Sequence, residues 1–542
     1  MTVRLRFMAP LVAAACIVSP SSARAQLAPP SPGMEALEKR PDTTLSLKGY
    51  LRVRGDVFYN LDLDRGPTPY GSHLFPLPAS NPKSQVLQSA DMRVRLEPAW
   101  RLTRSVRVVM QVDLLDNVVL GSTPAGLPRD RWTPMSGATL SQSSPESGKN
   151  SWNDAVIIRR AWGEVLLPFG VLAVGRQGAL MNWGTGFFIN AGNDLDHDRS
   201  DSADRIVFAT SLADHLWMFA FEWSASGPTS AGAWPADQPF DQDGRDDVRT
   251  FAFGFARWHS GAGVRRRVSA RVPSVNYGLI ASYRRQELDV PGYYAPSGLE
   301  GFYDRSAVVQ RDLHTVSADL WFRVVHRSFR LEFEAAVVWG RIGDASPDPG
   351  ISMRQAITSL QYGGVLQVAW APGGGGVSLG LELGLASGDP QPGFGVRSPL
   401  DQTQAVPGDL DGPQFRLPQD AKVDNFRFHP NYHVDLILFR RIIGTVSDAL
   451  YLRPWVRWQS RWGLSLELVA ISSFAMRQET PPGGERPLGV EIDLGARYRF
   501  DRGFVVRLGF GTLFPLAGLD NVALGLRAKP AVTLHAVMGF VL

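Results

Sequence analysis

The chain has 542 residues, 44% hydrophobic and 20% charged, with 54 Gly, 28 Phe, 15 Trp and a formal net charge of +4. So small a charge gives no ground for a nucleic-acid partner, and the single cysteine, Cys16, excludes a disulfide scaffold. After the first 25 residues no apolar run reaches 18, which excludes helical membrane spans and leaves strands to carry the dispersed apolar residues.

The N-terminus reads as an export signal. Arg4 and Arg6 precede an apolar stretch from Phe7 to Val18, and Ala23-Arg24-Ala25 offers a small-x-small cleavage site. A signal peptide over 1–25 is expected. A rival reading makes Cys16 a lipoprotein cysteine after Ala13-Ala14-Ala15, without the usual bulky apolar residue three before it. Cleavage after Ala25 leaves a mature chain with no cysteine. Residues 26–44 are Pro-rich and read as a flexible periplasmic segment.

From residue 45 to 542 the recurring signal is strict alternation. Leu45, Leu47, Leu51, Val53 and Val57 share one face, and Ser46, Lys48, Arg52, Arg54 and Asp56 the other. Met92, Val94 and Leu96 alternate with Asp91, Arg93, Arg95 and Glu97, and the run from Ser105 to Asp113 repeats the pattern. A period of two is that of a β-strand, and a second face of charges meets water. Such runs begin near residues 45, 89, 105, 154, 169, 204, 215, 248, 274, 312, 328, 354, 376, 447, 463, 488, 503 and 530. Long and short connections alternate between them; His259 to Pro273 is the exception, a long stretch among the short ones. The fold expected is all-β: a transmembrane antiparallel barrel of 16–18 strands, with long outer loops, short periplasmic turns and both termini in the periplasm. The last strand presents Val532, Leu534, Ala536, Met538, Phe540 and Leu542 on one face.

Two constellations stand out. The third long loop carries Asp194, Asp196, Asp198, Asp201 and Asp204, five aspartates within eleven residues. Spacing of two resembles the start of a calcium loop, although the glycine and closing glutamate of that loop are missing. Bound calcium is one reading, shared with the acidic run Asp241 to Asp247. Salt bridges to Arg199 and Arg205 are the other. The preceding Trp183-Gly184-Thr185-Gly186-Phe187-Phe188 is too apolar for an outer loop in water, so it folds into the lumen or packs on the rim.

The second constellation is the inward face. Alternation places Arg52, Arg54, Arg93, Arg95, Arg107, Arg323, Arg453, Arg457 and Arg497 there, with acids that include Glu491 and Asp493. They form either a structural ladder of paired charges or an electropositive track for an anionic solute. No G-x-S-x-G or H-E-x-x-H is present and no enzymatic activity is expected.

Several segments resemble an uncharacterised family of outer-membrane barrels known mainly from myxobacteria. They are Gly175-Arg176-Gln177 through Asn182-Trp183-Gly184, Asn190 to Arg205, Asn425 to Tyr432, Asp435 to Gly444, and Leu488 to Leu519. Gly175-Arg176-Gln177 and the Gly-x-Glu-x-Asp of Gly489 to Asp493 are also similar to alginate-export-type porins, whose arginine-lined lumen is narrowed by loops. That resemblance implies a solute channel and adds Arg176, Glu491 and Asp493 as lumenal polar residues. The expectation is therefore a porin-like channel for a hydrophilic, anionic or saccharide-like solute. The other reading is a loop-plugged structural or surface-binding barrel. Lipid and a small solute are the expected partners, and the sequence leaves the oligomeric state open.

Overall fold

The computed structural model describes residues 44–77, 85–120, 156–179, 181–224, 244–289, 308–346, 355–372, 376–397, 406–412, 420–500 and 503–542. The expected signal peptide (1–25), the segment 26–43 and the acidic residues Asp241 to Asp243 lie outside them.

The described residues form eighteen strands. They are β1 (Thr44–Tyr59), β2 (Val86–Arg101), β3 (Val106–Val119), β4 (Val156–Leu167), β5 (Gly170–Gly178), β6 (Ser202–Leu212), β7 (His215–Ser224), β8 (Val248–Arg257) and β9 (Ser274–Asp289). The second half comprises β10 (Val309–His326), β11 (Phe329–Ile342), β12 (Ile357–Trp370), β13 (Val377–Ala386), β14 (Ala449–Gln459), β15 (Leu464–Ala475), β16 (Pro487–Phe500), β17 (Phe504–Pro515) and β18 (Ala531–Val541). Every start lies within three residues of the one read from alternation. Each strand pairs antiparallel with the next, and β1 also pairs with β18 from Tyr50↔Val541 to Tyr59↔Val532, so the sheet closes on itself.

Closure follows from the surroundings. Phe219, Phe251, Leu320, Trp339, Leu360, Leu494 and Leu534 stand exposed on the outer face, on strands all around the barrel. An apolar belt of that extent is untenable in water and apt in hydrocarbon. There, any open edge would leave backbone groups without partners. Val53 belongs to the belt, set between Met92 and Met538 on the neighbouring strands. Val53→Arg is expected to hinder insertion, at about 2–4 kcal/mol for a position near mid-bilayer. The heat-modifiable gel band should weaken; a wild-type band would mean that Val53 does not face lipid.

The long connection at the short-turn end, 258–273, contains one helix, α1 (Gly261–Ser269). Ser260 caps it, its hydroxyl accepting from the Gly263 N–H at 3.2 Å. Alternation alone gave no reason for this helix. The main apolar core lies inside the lumen. Phe187, Phe394, Phe426, Phe428, Ile437, Leu438 and Phe439, all from connections at the long-loop end, pack together with inward residues of the wall.

Candidate functional site

Two connections fold into the barrel. Loop A spans 179–201 between β5 and β6; loop B spans 387–448 between β13 and β14. Loop A crosses the lumen. Its Trp183 stacks obliquely on Trp321 of β10, ring centroids 5.9 Å apart. Its Leu195 lies against Gly539 of β18, where an added Cβ would come within 2.5 Å of the leucine. Loop B sends Phe426 onto Gly363 of β12 and Leu436 onto Gly509 and Gly511 of β17. Wall glycines thus form notches where plug side chains enter. Of the two placements open to Trp183–Phe188, the structure takes the inward one.

Charge fastens loop A to the wall. Arg507 of β17 grips Asp194 with two hydrogen bonds of 2.5 and 2.9 Å. Asp196 accepts from Arg54 (3.3 Å), from Arg440 of loop B (2.8 Å) and from His535 of β18 (3.1 Å). Asp198 accepts from Arg52 (3.0 Å), Arg54 (2.8 Å) and Arg93 (3.2 Å). Burial alone would raise these carboxyls. Arg507 for Asp194, Arg440 and His535 for Asp196, and Arg54 and Arg52 for Asp198 outweigh it and hold all three below the usual carboxylate range.

Asp194 is held by Arg507 while Asp196 and Asp198 share Arg54, and among the described residues no group of three or more His, Cys, Asp and Glu is placed to hold a metal. Salt bridges hold Asp194, Asp196 and Asp198 in this structure. Their partners are not those expected from the sequence. Arg205 instead pairs with Glu222 at 3.3 Å, and the Arg199 N–H donates to Asn431. Asp201 accepts from the Asn190 N–H at 2.7 Å, within loop A.

The expected pore-lining set divides. Arg52 and Arg93 are 0% exposed, and Arg54 and Arg95 are buried too, sealed beneath loop A and not facing a water-filled pore. Arg52 also bonds Asp91 (2.9 Å) and Arg95 grips Asp113 (2.6 and 2.8 Å). Arg107 faces the lumen and pairs with Glu164 at 2.6 Å. Arg457 pairs with Glu467 at 2.9 Å, and Arg453 donates to the Val434 carbonyl at 2.8 Å. Arg323 lies over the rings of Trp258 and Trp321. Arg497 sits opposite Arg507 in register, on the inward face of β16.

Arg176 is a correction. Its register partners put it on the outer face, where it grips Asp204, likewise outward, at 2.8 Å; its side chain is 56% exposed. The Gly-Arg-Gln motif fixed a residue type but not a face. Glu491 is inward but serves the plug. It accepts from the N–H groups of Leu436, Ile437 and Leu438 (2.8–3.0 Å), capping the π-helical turn Leu438–Ile443. Asp493 is buried beside it, its carboxylate close to Gly511. Loop B's role as a plug was missed. Its apolar run from Leu436 to Phe439 in an outer connection was the available signal.

On the other side of the lumen the wall is barer. The inward residues Val207, Met218, Ala252, Ile280 and Ser282 of β6 to β9 are only partly covered, and Arg284 is exposed. Nearby on the same inner face are Arg107, Arg159, Arg205, Glu164 and Glu222.

No family model matches the chain, and no curated protein matches it. Among solved structures it is similar to OpdK of Pseudomonas aeruginosa with vanillate (10% identity, 92% of this chain and 98% of that one, TM-score 0.44). It is also similar to a BenF-like porin from Pseudomonas fluorescens Pf-5 (9%, 92% and 98%, TM-score 0.43). An anion-selective porin from Comamonas acidovorans is a third (9%, 92% and 100%, TM-score 0.39).

Proposed function

We propose that this chain is a channel of a Gram-negative outer membrane, for small hydrophilic solutes, narrowed by two inward loops. The observation that carries the reading is the uneven cover of the inner wall. The loops pack on β1 to β4 and β9 to β18, whereas Val207 of β6, Met218 of β7, Ala252 of β8 and Ile280, Ser282 and Arg284 of β9 keep contact with solvent. An eighteen-stranded barrel is too wide for its own side chains to fill, so a passage beside the plug is the natural use of that wall. Around it Arg107, Arg159 and Arg205 are paired with Glu164, with Asp113 and Asp116, and with Glu222, while Arg284 is exposed to the lumen and favours an anion.

The aromatic packing of loop B favours a second reading, a closed barrel that displays its loops and transports nothing. Planar-bilayer recording separates the two: stepwise current supports the channel and a silent insertion supports the closed barrel. In a salt gradient the reversal potential should show anion preference, and Arg284→Glu should move it toward cations. Cation preference of the wild type would overturn the anionic assignment.

A further inference from the structure

Loops A and B meet at a joint rich in histidine. His197 of loop A lies edge-on to His433 of loop B, ring centroids 5.7 Å apart. His433 Nδ1 is 3.8 Å from Asp196, and His429 Nε2 is 3.9 Å from Asp201. Between the two imidazoles of loop B, the Asn431 side chain clamps Arg199 of loop A, donating to its carbonyl and accepting from its N–H. The Asn431 N–H in turn donates to His429 Nδ1 at 3.1 Å, so that nitrogen carries no proton in this arrangement.

The joint has little room for more positive charge. Arg440 and Arg441 face it from loop B, Arg199 from loop A, Arg54 from β1, Arg507 from β17 and His535 from β18. The carboxylates are largely taken: Asp194 by Arg507, Asp196 by Arg440 and His535, and Asp56 by His535 (2.6 Å) and Arg441 (3.1 Å). Asp201 already accepts a backbone N–H. Burial holds His197, His429 and His433 below the ordinary histidine range, furthest for His433, where Arg440 adds to it.

We propose that this joint is a proton-operated release, in which charging His197, His429 and His433 parts loop A from loop B and loosens the plug. The sign follows from linkage. Imidazoles titrating lower in the folded joint than the unfolded value of about 6.5 contribute full strength above that pH, and the contribution is lost as the pH falls. The consequence for passage rests on the channel reading; the joint itself does not.

Hydrogen exchange of the full chain in bilayers, at pH 7.5 and 5.0 and corrected for intrinsic rates, tests it. Peptides spanning 187–201 and 425–435 should lose at least tenfold protection at pH 5.0, while peptides from β10 to β12 keep theirs. The His197→Gln/His433→Gln double variant should show little difference between the two pH values. If that variant is unprotected already at pH 7.5, the wild-type comparison still decides, and each single variant should lose part of the acid response. Equal wild-type protection at both pH values overturns the proposal, as does an undiminished acid response in the double variant. Acid release with no current at any pH would overturn the channel reading and leave the joint standing.

Discussion

Asp196→Asn is expected to unfasten loop A. The carboxylate accepts from Arg54, Arg440 and His535 and is largely shielded from solvent. Asparagine keeps one acceptor oxygen but removes the charge that balances these donors. Removing one partner of a buried ion pair costs about 3–5 kcal/mol, which is roughly a hundred- to several-thousand-fold in an opening equilibrium. Protease accessibility and hydrogen exchange of 187–201 would register it in the folded barrel. Arg176→Gln is the control, since its pair with Asp204 stands largely in the open on the outer face and exposed pairs contribute under about 1 kcal/mol. Similar loop protection in the Asp196 and Arg176 variants would contradict the ionic fastening described for loop A.

Phe428→Ala attacks the apolar half of the plug. Phe428 packs on Phe187 of loop A (ring centroids 4.7 Å apart), on Tyr432 (5.6 Å) and on Tyr451 of β14 (6.4 Å). The residue is 1% exposed. Truncating such a phenylalanine costs about 3–5 kcal/mol. The loss should fall on the plug, because the barrel keeps its own ladder of strand hydrogen bonds. Heat-modifiability should therefore persist while the peptides of loop B exchange faster. Unchanged exchange would mean that the aromatic cluster does not hold loop B.

The wall was legible because every strand has a lipid face and several carry charges on the other, and a period of two needs no tertiary information. Leu51, Val53 and Val57 against Arg52, Arg54 and Asp56 settle which face of β1 meets lipid from sequence alone. The plug was not legible, because what an arginine meets depends on loops far away in the chain. Arg52 and Arg107 look alike in sequence, yet one is covered by Asp198 and the other remains part-exposed beside Glu164. Arg176 shows a further limit. Its place two residues from the end of β5 left the face to be decided by register with Ala161 and Asp204. Inward glycines such as Gly363 and Gly539 did mark where the plug enters, but in the sequence they read as ordinary gaps in alternation.

The barrel closes where β1 meets β18, and loop A touches both lips of that seam. Asp196 reaches Arg54 on the first strand and His535 on the last, while Leu195 sits on Gly539 and Asp198 on Arg52. These ties link loop A to both ends of the chain, so the full set exists only once the ends have come together. The contacts that narrow the lumen also stitch the cylinder shut along its last line of closure.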